Sequence, residues 1–598
     1  MSLRLLICAV VAGLLAVATP AASAAPALPL GHAGRFVTDA QGRVVILHGY
    51  NMVYKRPPYA PDATGFGDDD AAFLAAEGYN TVRVGVIYKA VEPSPGVYDD
   101  AYLARIASTV DTLGRHGIVS MLDFHQDLYN EAFQGEGWPD WAVQDDGLPH
   151  EPKSGFPNNY LVMPALQRAF DHFWNNDPGP GGVGLQDRYA AAWRHVAQRF
   201  GSNRSVLGYE LMNEPWPGSA WQPCANPASG CPAFDSTLTA FANRSTAAIR
   251  QVDRRTLVFY EPAVLFNFGA PTSTGPLGDP RGAFAFHDYC LSPGPSGHDS
   301  SCDTFDDTVF ANAANHATRT GEPNLLTEFG ATDDAILLGK MVARADRNMV
   351  GWQEWHYCGC SDPTTSGPGD TQAIVLDPSR PPTGSNVKSA KLAILSRPYP
   401  QAVAGTPESF GFDPDAHRFD LRYRTTRAGG GALASGALTE IALPVRQYPR
   451  GYDVAVEGGS VRSRPGAATL QIAACAGAGE VGVNVTPGTG RVRQTCTPPP
   501  PVGAAAIHLS ASPRSARAGR RVRFVFLARA RVNGRLRPVA GARIRFAGRN
   551  ARTNRRGRAV IIKRFGASRR GRRYTARAFR RDLRTGRVVV TVRASRRR

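Results

Sequence analysis

Two glutamates in short polar runs carry the strongest chemical signal in this sequence. Glu214 stands in LMNEP (211–215) and Glu328 in LTEFG (326–330), each closing an apolar, β-prone run. Two carboxyl groups flanking a glycosidic bond can hydrolyse it unaided: one protonates the leaving oxygen, the other attacks the sugar or activates water. A neighbouring carboxylate raises the acid's pKa, and the effect falls away once that neighbour is glycosylated, so the same group then serves as base. Glu261, before Pro262, is the rival carboxylate, but it lacks the asparagine that precedes Glu214. No HExxH run, EF-hand loop or CxxC matched to nearby histidines is present, so the reading requires no metal and no cofactor.

Further polar residues fall at the ends of other apolar runs. The first ends in His48, Asn51 and Lys55; the second carries Arg83; the third ends in His125, Gln126 and Asp127. Glu261 closes the fifth, His287, Asp288 and Tyr289 the sixth, and Trp355 and His356 the eighth. Burying such groups unpaired costs about 1–3 kcal/mol each, so polar ends on every run point to a shared site rather than to packing.

The elements that must position them are eight β-prone runs, at 43–52, 81–86, 118–126, 206–215, 256–263, 282–290, 323–330 and 349–357. Amphipathic helical stretches lie between them, at 68–77, 101–116, 186–200, 234–252, 306–318 and 334–345. Strand alternating with helix predicts a parallel sheet, and eight repeats favour an α/β (β/α)8 TIM barrel over 30–395 rather than a doubly wound sheet. No GxGxxG or P-loop follows the first strand. Chemistry in such a barrel sits where strands give way to loops at the C-terminal face. Strands four and seven lie across the mouth from one another, which sets Glu214 against Glu328.

Beyond the barrel, short alternating runs separated by turn residues predict a β-sandwich over 396–496. A Pro-rich linker follows at 497–502, then an Arg-rich immunoglobulin-like β domain at 503–598, with Asn533 and Gly534 as a hairpin turn and a disordered tip. Arg4, the apolar run 5–18 and the small residues Ala22, Ser23 and Ala24 predict a cleaved signal peptide over 1–24, hence a secreted or envelope-associated protein. Cys8 would leave with it. The remaining eight cysteines fall in close pairs, 224/231, 290/302, 358/360 and 475/496, and are expected to form disulfides.

The net charge of +19 is unevenly spread. Residues 503–598 hold 31 Lys and Arg against Asp582 alone, a net +30, which leaves −11 for the rest. Such a tail suits an anionic envelope or membrane surface; a merely solvated basic surface is the alternative. With no RNP-like or zinc-finger pattern, nucleic-acid readout is not expected, and the chain is read as a monomer.

The two glutamate motifs resemble the acid/base and nucleophile strands of glycoside hydrolase family 5, and Arg83, His125, Asn213, His287, Tyr289 and Trp355 match that family's other recurring positions. The resemblance implies that Asn213 holds the sugar 2-hydroxyl, that Tyr289 and Arg83 engage the nucleophile Glu328, and that His125 and His287 line the site. Trp355 would be the stacking floor, with Trp352 its rival. The segments GYNMVYKRPPYAP (49–61), DFHQD (123–127) and RPYPQAVAG (397–405) are similar to the endoglycoceramidase branch, whose members cleave the β-linkage between a glycan and ceramide. There Lys55 and Asp127 would hold the first sugar. The likeness spans roughly 30–490 and omits the Arg-rich domain.

A ceramide would need an apolar trough, for which Phe133, Trp138, Trp141, Trp216, Trp221, Phe266 and Phe268 are the candidates. Segments 175–184 and 219–231 are expected to shape the mouth, and GWQEWHYCGC (351–360) is atypical after Trp355. The expected partner is thus a glycolipid or oligosaccharide substrate. An endo-β-glucanase or a glucosylceramide or sterol β-glucosidase remains an alternative. A non-catalytic carbohydrate-binding surface protein is disfavoured because both glutamates are present.

Overall fold

The computed structural model describes residues 26–290, 300–365, 369–496, 505–532, 535–567, 571–580 and 583–594. The expected signal peptide, the Pro-rich linker, the Asn533–Gly534 turn and the tip of the chain lie outside them. Residues divide into two compact units, Met1–Cys496 and Thr497–Arg598.

The first unit is built on a closed barrel of eight parallel strands: β1 (His48–Met52), β2 (Thr81–Ile87), β3 (Val119–His125), β4 (Val206–Glu210), β5 (Leu257–Tyr260), β6 (Gly282–Asp288), β7 (Asn324–Phe329) and β8 (Gly351–Glu354). Each pairs with the next in parallel, and β8 closes on β1 through Trp352 opposite His48. Helices cover the outside and side chains fill the inside, so β2, TVRVGVI, is buried at all seven positions rather than alternating. The helices enter in register through their caps. Asp99 accepts from Tyr102 N before Asp100–Arg115, and Asp334 from Ile336 N and Leu337 N before Ala335–Asn348.

The sandwich reaches further back in the chain than its sequence pattern suggests. Gly31–Ala33, Phe36–Thr38 and Val44–Val45 join Tyr399–Val403, Leu438–Ala442, Thr469–Ala474 and Gly459–Val461 in a seven-stranded sheet. A five-stranded sheet, with Arg418–Arg424 and Glu480–Pro487 near its centre, packs on it around Phe410, Phe419, Tyr423 and Val481.

The run 43–52 is therefore two strands, one in the sandwich and one in the barrel. As a result His48 opens β1 instead of ending it. Its ring lies between Trp352 and Tyr399, at 4.3 and 3.7 Å, and burial holds its pKa well below the usual histidine value. The reading of His48 as a polar strand end at the site is corrected: it packs at the opposite end of the barrel.

The second unit has two sheets, one containing His508–Ser512, Arg521–Val532, Arg535–Pro538 and Arg558–Arg564, the other five strands from Ser515 to Arg593. Phe524, Phe526, Phe546 and Phe565 form its core. All four expected cysteine pairs are disulfides. Among the described residues no helix is long and apolar enough to cross a membrane.

Candidate active site

The loops leaving the C-terminal ends of the strands enclose a cavity of about 300 Å³. Lys55, His125, Asp127, Asn213, Glu214, Tyr289, Glu328 and Trp355 all line it. Arg83 and His287 are fully buried immediately behind it.

Glu214 follows β4 on a backbone turned to φ 42°. The left-handed region is disfavoured for a side chain larger than glycine, and a following proline restricts the residue further. The turn is pinned on both sides. Asn213 N donates to Phe124 O at 3.1 Å, and Glu214 N donates to Glu261 Oε2 at 3.1 Å. Gln126 Nε2 reaches the carbonyls of Asn213 and Glu214 at 2.9 and 3.1 Å. The carboxyl is aimed into the cavity, where Asn267 Nδ2 and His287 Nδ1 lie 2.7 and 2.8 Å from Oε1. Burial, reinforced by the charge of Asp127, raises its pKa to about 8 against the opposing Lys55 and Arg83.

Glu328, on β7, meets a different environment. Arg83 Nη1 lies 2.5 Å from Oε1, and Tyr289 OH donates to Oε2 at 2.9 Å. Burial raises this pKa as well, with His287 and Arg83 opposing. Of the two, Glu328 alone carries a guanidinium directly on its carboxylate, which favours its ionised form. Oxygens of the two carboxyls, with a ring nitrogen of His287, lie within 4.8 Å of one another.

Arg83 is itself held in a cage: Glu210 at its Nε, Asp123 at 3.0 Å, Glu261 at 3.4 Å and the side-chain oxygens of Asn51 and Asn213 at 3.0 and 2.8 Å. Glu261 therefore sits beneath Glu214, bonded to its backbone, and does not line the cavity. His125 Nδ1 lies 2.7 Å from Asp123 Oδ2, burial beside Lys55 and Arg83 lowers its pKa well below the usual histidine value, and its Nε2 is buried 3.7 Å from Asp127 Oδ2.

The cavity has two chemically distinct walls. On one, Lys55 Nζ lies 2.6 Å from Asp127 Oδ2, 2.8 Å from Thr364 Oγ1 and 4.5 Å from the centre of the Trp355 ring, which stacks on His125. Burial works against the ammonium, but Asp127 and Asp362 outweigh it and raise its pKa. The other wall is apolar: Phe156, Tyr160 and Leu161 from the loop after β3, Trp216 after β4, and Val264, Leu265 and Phe268 after β5. Leu161 and Phe268 stay 42% and 36% exposed, large for apolar side chains at a cavity mouth.

Of the seven aromatic residues proposed for a trough, Trp216 and Phe268 line the cavity. Trp138 instead stacks on Tyr129 at 4.2 Å, Phe266 packs on Phe284, and Phe133 is core. Trp141 packs on Tyr88 and donates to Glu92 O, and Trp221 lies against Trp216 outside the lining. Trp352 is buried beside His48, away from the cavity. No residue of 175–184 or 219–231 lines it either. Asn267, Thr364 and the 156–161 segment were not singled out by the sequence reading.

The family 5 cellulase (glycosyl hydrolase) model matches residues 38–361, and the glycoside hydrolase family 5 C-terminal domain matches 397–486. Endoglycoceramidase I of Rhodococcus hoagii (strain 103S) is 35% identical over 475 residues, covering 77% of this chain and 89% of its own length. An endoglycoceramidase of Cyanea nozakii is 29% identical over 454 residues, covering 70% and 85%. Among solved structures, endo-glycoceramidase II from Rhodococcus sp. as a lactosyl-enzyme intermediate aligns with TM-score 0.62 at 34% identity, over 75% of this chain and 99% of that one. Its ganglioside GM3 complex aligns at 0.61 and 32%, over 76% and 99%.

Proposed function

This chain belongs to glycoside hydrolase family 5, a retaining family, and from that membership we propose that it hydrolyses the β-glycosidic bond between glycan and ceramide, with Glu214 as acid/base and Glu328 as nucleophile. The enzyme is endoglycoceramidase-like. One observation carries the substrate: the carboxyl pair stands between a polar wall of Lys55, Asp127, Thr364 and Trp355 and an apolar wall of Tyr160, Leu161, Trp216 and Phe268. A sugar needs hydrogen bonds and a stacking ring; a ceramide needs a surface without charge.

The steps follow from the environments. Protonated Glu214 gives its proton to the glycosidic oxygen as a Glu328 oxygen bonds to the anomeric carbon, and ceramide leaves. The proximity of the two carboxyls supports this route, since retaining pairs stand roughly 5–5.5 Å apart and inverting pairs roughly 6.5–9.5 Å apart. Glu214, now a carboxylate, takes a proton from water as that water attacks the same carbon. The free glycan departs and both groups return to their starting states. In this reading Asn213 holds the 2-hydroxyl, Trp355 floors the sugar, and Lys55, Asp127 and His125 bond its other hydroxyls. Arg83, Tyr289 and His287 position Glu328 and Glu214.

The signal-peptide pattern and four disulfides support secretion. The basic second unit supports contact with an anionic surface outside the cell.

The deciding experiment is a product assay on a ganglioside, a glucosylceramide and a cello-oligosaccharide. Intact oligosaccharide plus ceramide from the ganglioside is the expected result. Cleavage of glucosylceramide alone would make it a cerebrosidase, and cleavage of the cello-oligosaccharide alone a glucanase.

A further inference from the structure

The second unit has an outer surface of one charge. Asp582 is its single acidic residue, and 23 of the 25 Lys and Arg side chains among its described residues are exposed. Strand alternation produces this. In Arg521–Val532, Phe524, Phe526, Ala528 and Ala530 turn inward while Arg521, Arg523, Arg529 and Arg531 turn outward; in Arg543–Phe546, Ile544 and Phe546 are buried and both arginines exposed.

Register turns this charge into rows. Arg545 lies directly opposite Arg577, and Arg577 directly opposite Arg587, three arginines across three adjacent strands. Arg543 faces Arg552, Arg521 faces Arg564 and Arg517 faces Arg593. Side chains so opposed stand about 5 Å apart at Cβ, and like charges in that position destabilise a sheet. A fold that keeps five such pairings, with Asp582 its single acidic residue, is one whose charge is answered from outside. Guanidinium forks match phosphate oxygens two at a time, which a lysine surface would not do.

We propose that this unit binds a linear polyanion, a phosphodiester-linked polymer of the cell envelope, with the Arg545–Arg577–Arg587 row as its central contact. This rests on reading the unit as a contact for an anionic surface and says which surface. Both sheets carry outward arginines. A bilayer is planar and meets one face at a time, whereas flexible polymer chains reach both. The unit contains no tryptophan, and five of its six aromatic side chains pack in or against its core, which leaves Phe579 alone and no run of rings on which successive bases could stack.

The test titrates the full chain with poly(glycerol phosphate), with vesicles containing anionic phospholipid, and with duplex DNA. The polymer is expected to bind tightest, with affinity falling at least tenfold between about 50 and 200 mM salt. The combined Arg545→Ser, Arg577→Ser and Arg587→Ser variant should lose about tenfold or more of polymer affinity and about 2 of the salt slope. Its hydrolysis of a soluble aryl glycoside should be unchanged and its melting temperature no lower, since repulsion has been removed. A control variant, Arg514→Ser with Arg520→Ser and Arg555→Ser, removes equal charge off the row and should bind nearly as wild type. Equal loss in the control overturns the row as the site. Tighter binding to vesicles or to DNA overturns the polymer while leaving an anionic partner standing; no binding to any probe at low salt overturns both.

Discussion

Arg83 Nη1 rests 2.5 Å from Glu328 Oε1, and the same guanidinium also contacts Glu210, Asp123 and Glu261, so one cation holds four buried carboxylates. Arg83→Lys keeps the charge but loses the planar fork that serves these partners together. The expected outcome is a fall in kcat of roughly 10²-fold and a loss of stability of about 3 kcal/mol, because buried carboxylates are left without their partner. Steady-state kinetics and denaturant unfolding of the same preparation check both.

The two glutamates should fail differently. Glu328→Gln abolishes both steps, so no burst of product appears with any substrate. Glu214→Gln loses proton donation, worth about 10²–10⁴-fold, on a ceramide leaving group. On an aryl glycoside whose phenol leaves without protonation, it should still show a stoichiometric burst followed by slow turnover. A burst from Glu328→Gln, or none from Glu214→Gln, would reverse the assignment.

The pH profile follows from the direction of each shift. Glu214 is active as the acid while protonated, and its pKa is raised to about 8, so kcat/KM should decline as pH rises through about 8. Glu328 must be ionised. Burial raises its pKa, so the acid limb should lie above the pH at which an exposed carboxylate titrates. Because Glu214 is buried with a raised pKa, ionising it costs the fold: its contribution is intact below its unfolded pKa and is lost as pH climbs from there through its folded pKa of about 8. Repeating the profile with Glu214→Gln on the aryl glycoside should remove the alkaline limb.

Substitutions on the two walls should separate sugar from lipid. Lys55→Met breaks contacts with Asp127 and Thr364 and should raise KM for every glycan-bearing substrate. Leu161→Asp, at a half-open position, should fold normally and leave the soluble aryl glycoside unaffected. It should cut kcat/KM on a glycosphingolipid about 5–30-fold, the equivalent of about 1–2 kcal/mol of lost apolar burial. Equal effects on both substrates would mean that the apolar wall does not hold the lipid.

The barrel and the residues around the carboxyl pair were legible because each depends on strand ends, where a polar residue after an apolar run stands out. Arg83 was visible as a charge inside a run of valines. Two things were not legible. An aromatic residue in a loop carries no mark of which way it faces, so Trp138 and Trp216 look alike in sequence, though one stacks in the core and the other lines the cavity. A continuous β-prone run hides a change of sheet, so 43–52 reads as one strand and His48 as its polar end. Asn267 lies in a five-residue 3-10 helix, next to Phe268, and Thr364 in a turn; neither segment is long enough for a periodicity to place it.

The strands between Gly31 and Val45 pair with one another, and Val44–Val45 joins them to the rest of the sheet through a strand that follows residue 398, with the whole barrel intervening. Val44 and Val45 pair with Val403 and Ala402, a closure spanning more than three hundred residues. The sandwich thus acts as a clasp whose two halves bracket the catalytic barrel. During synthesis or export the Val44–Val45 edge waits unpaired until Ala402 and Val403 have emerged. A chain truncated after the barrel would keep every catalytic residue yet leave that leading edge open to pairing with its own kind, so the minimal active fragment must run through the sandwich.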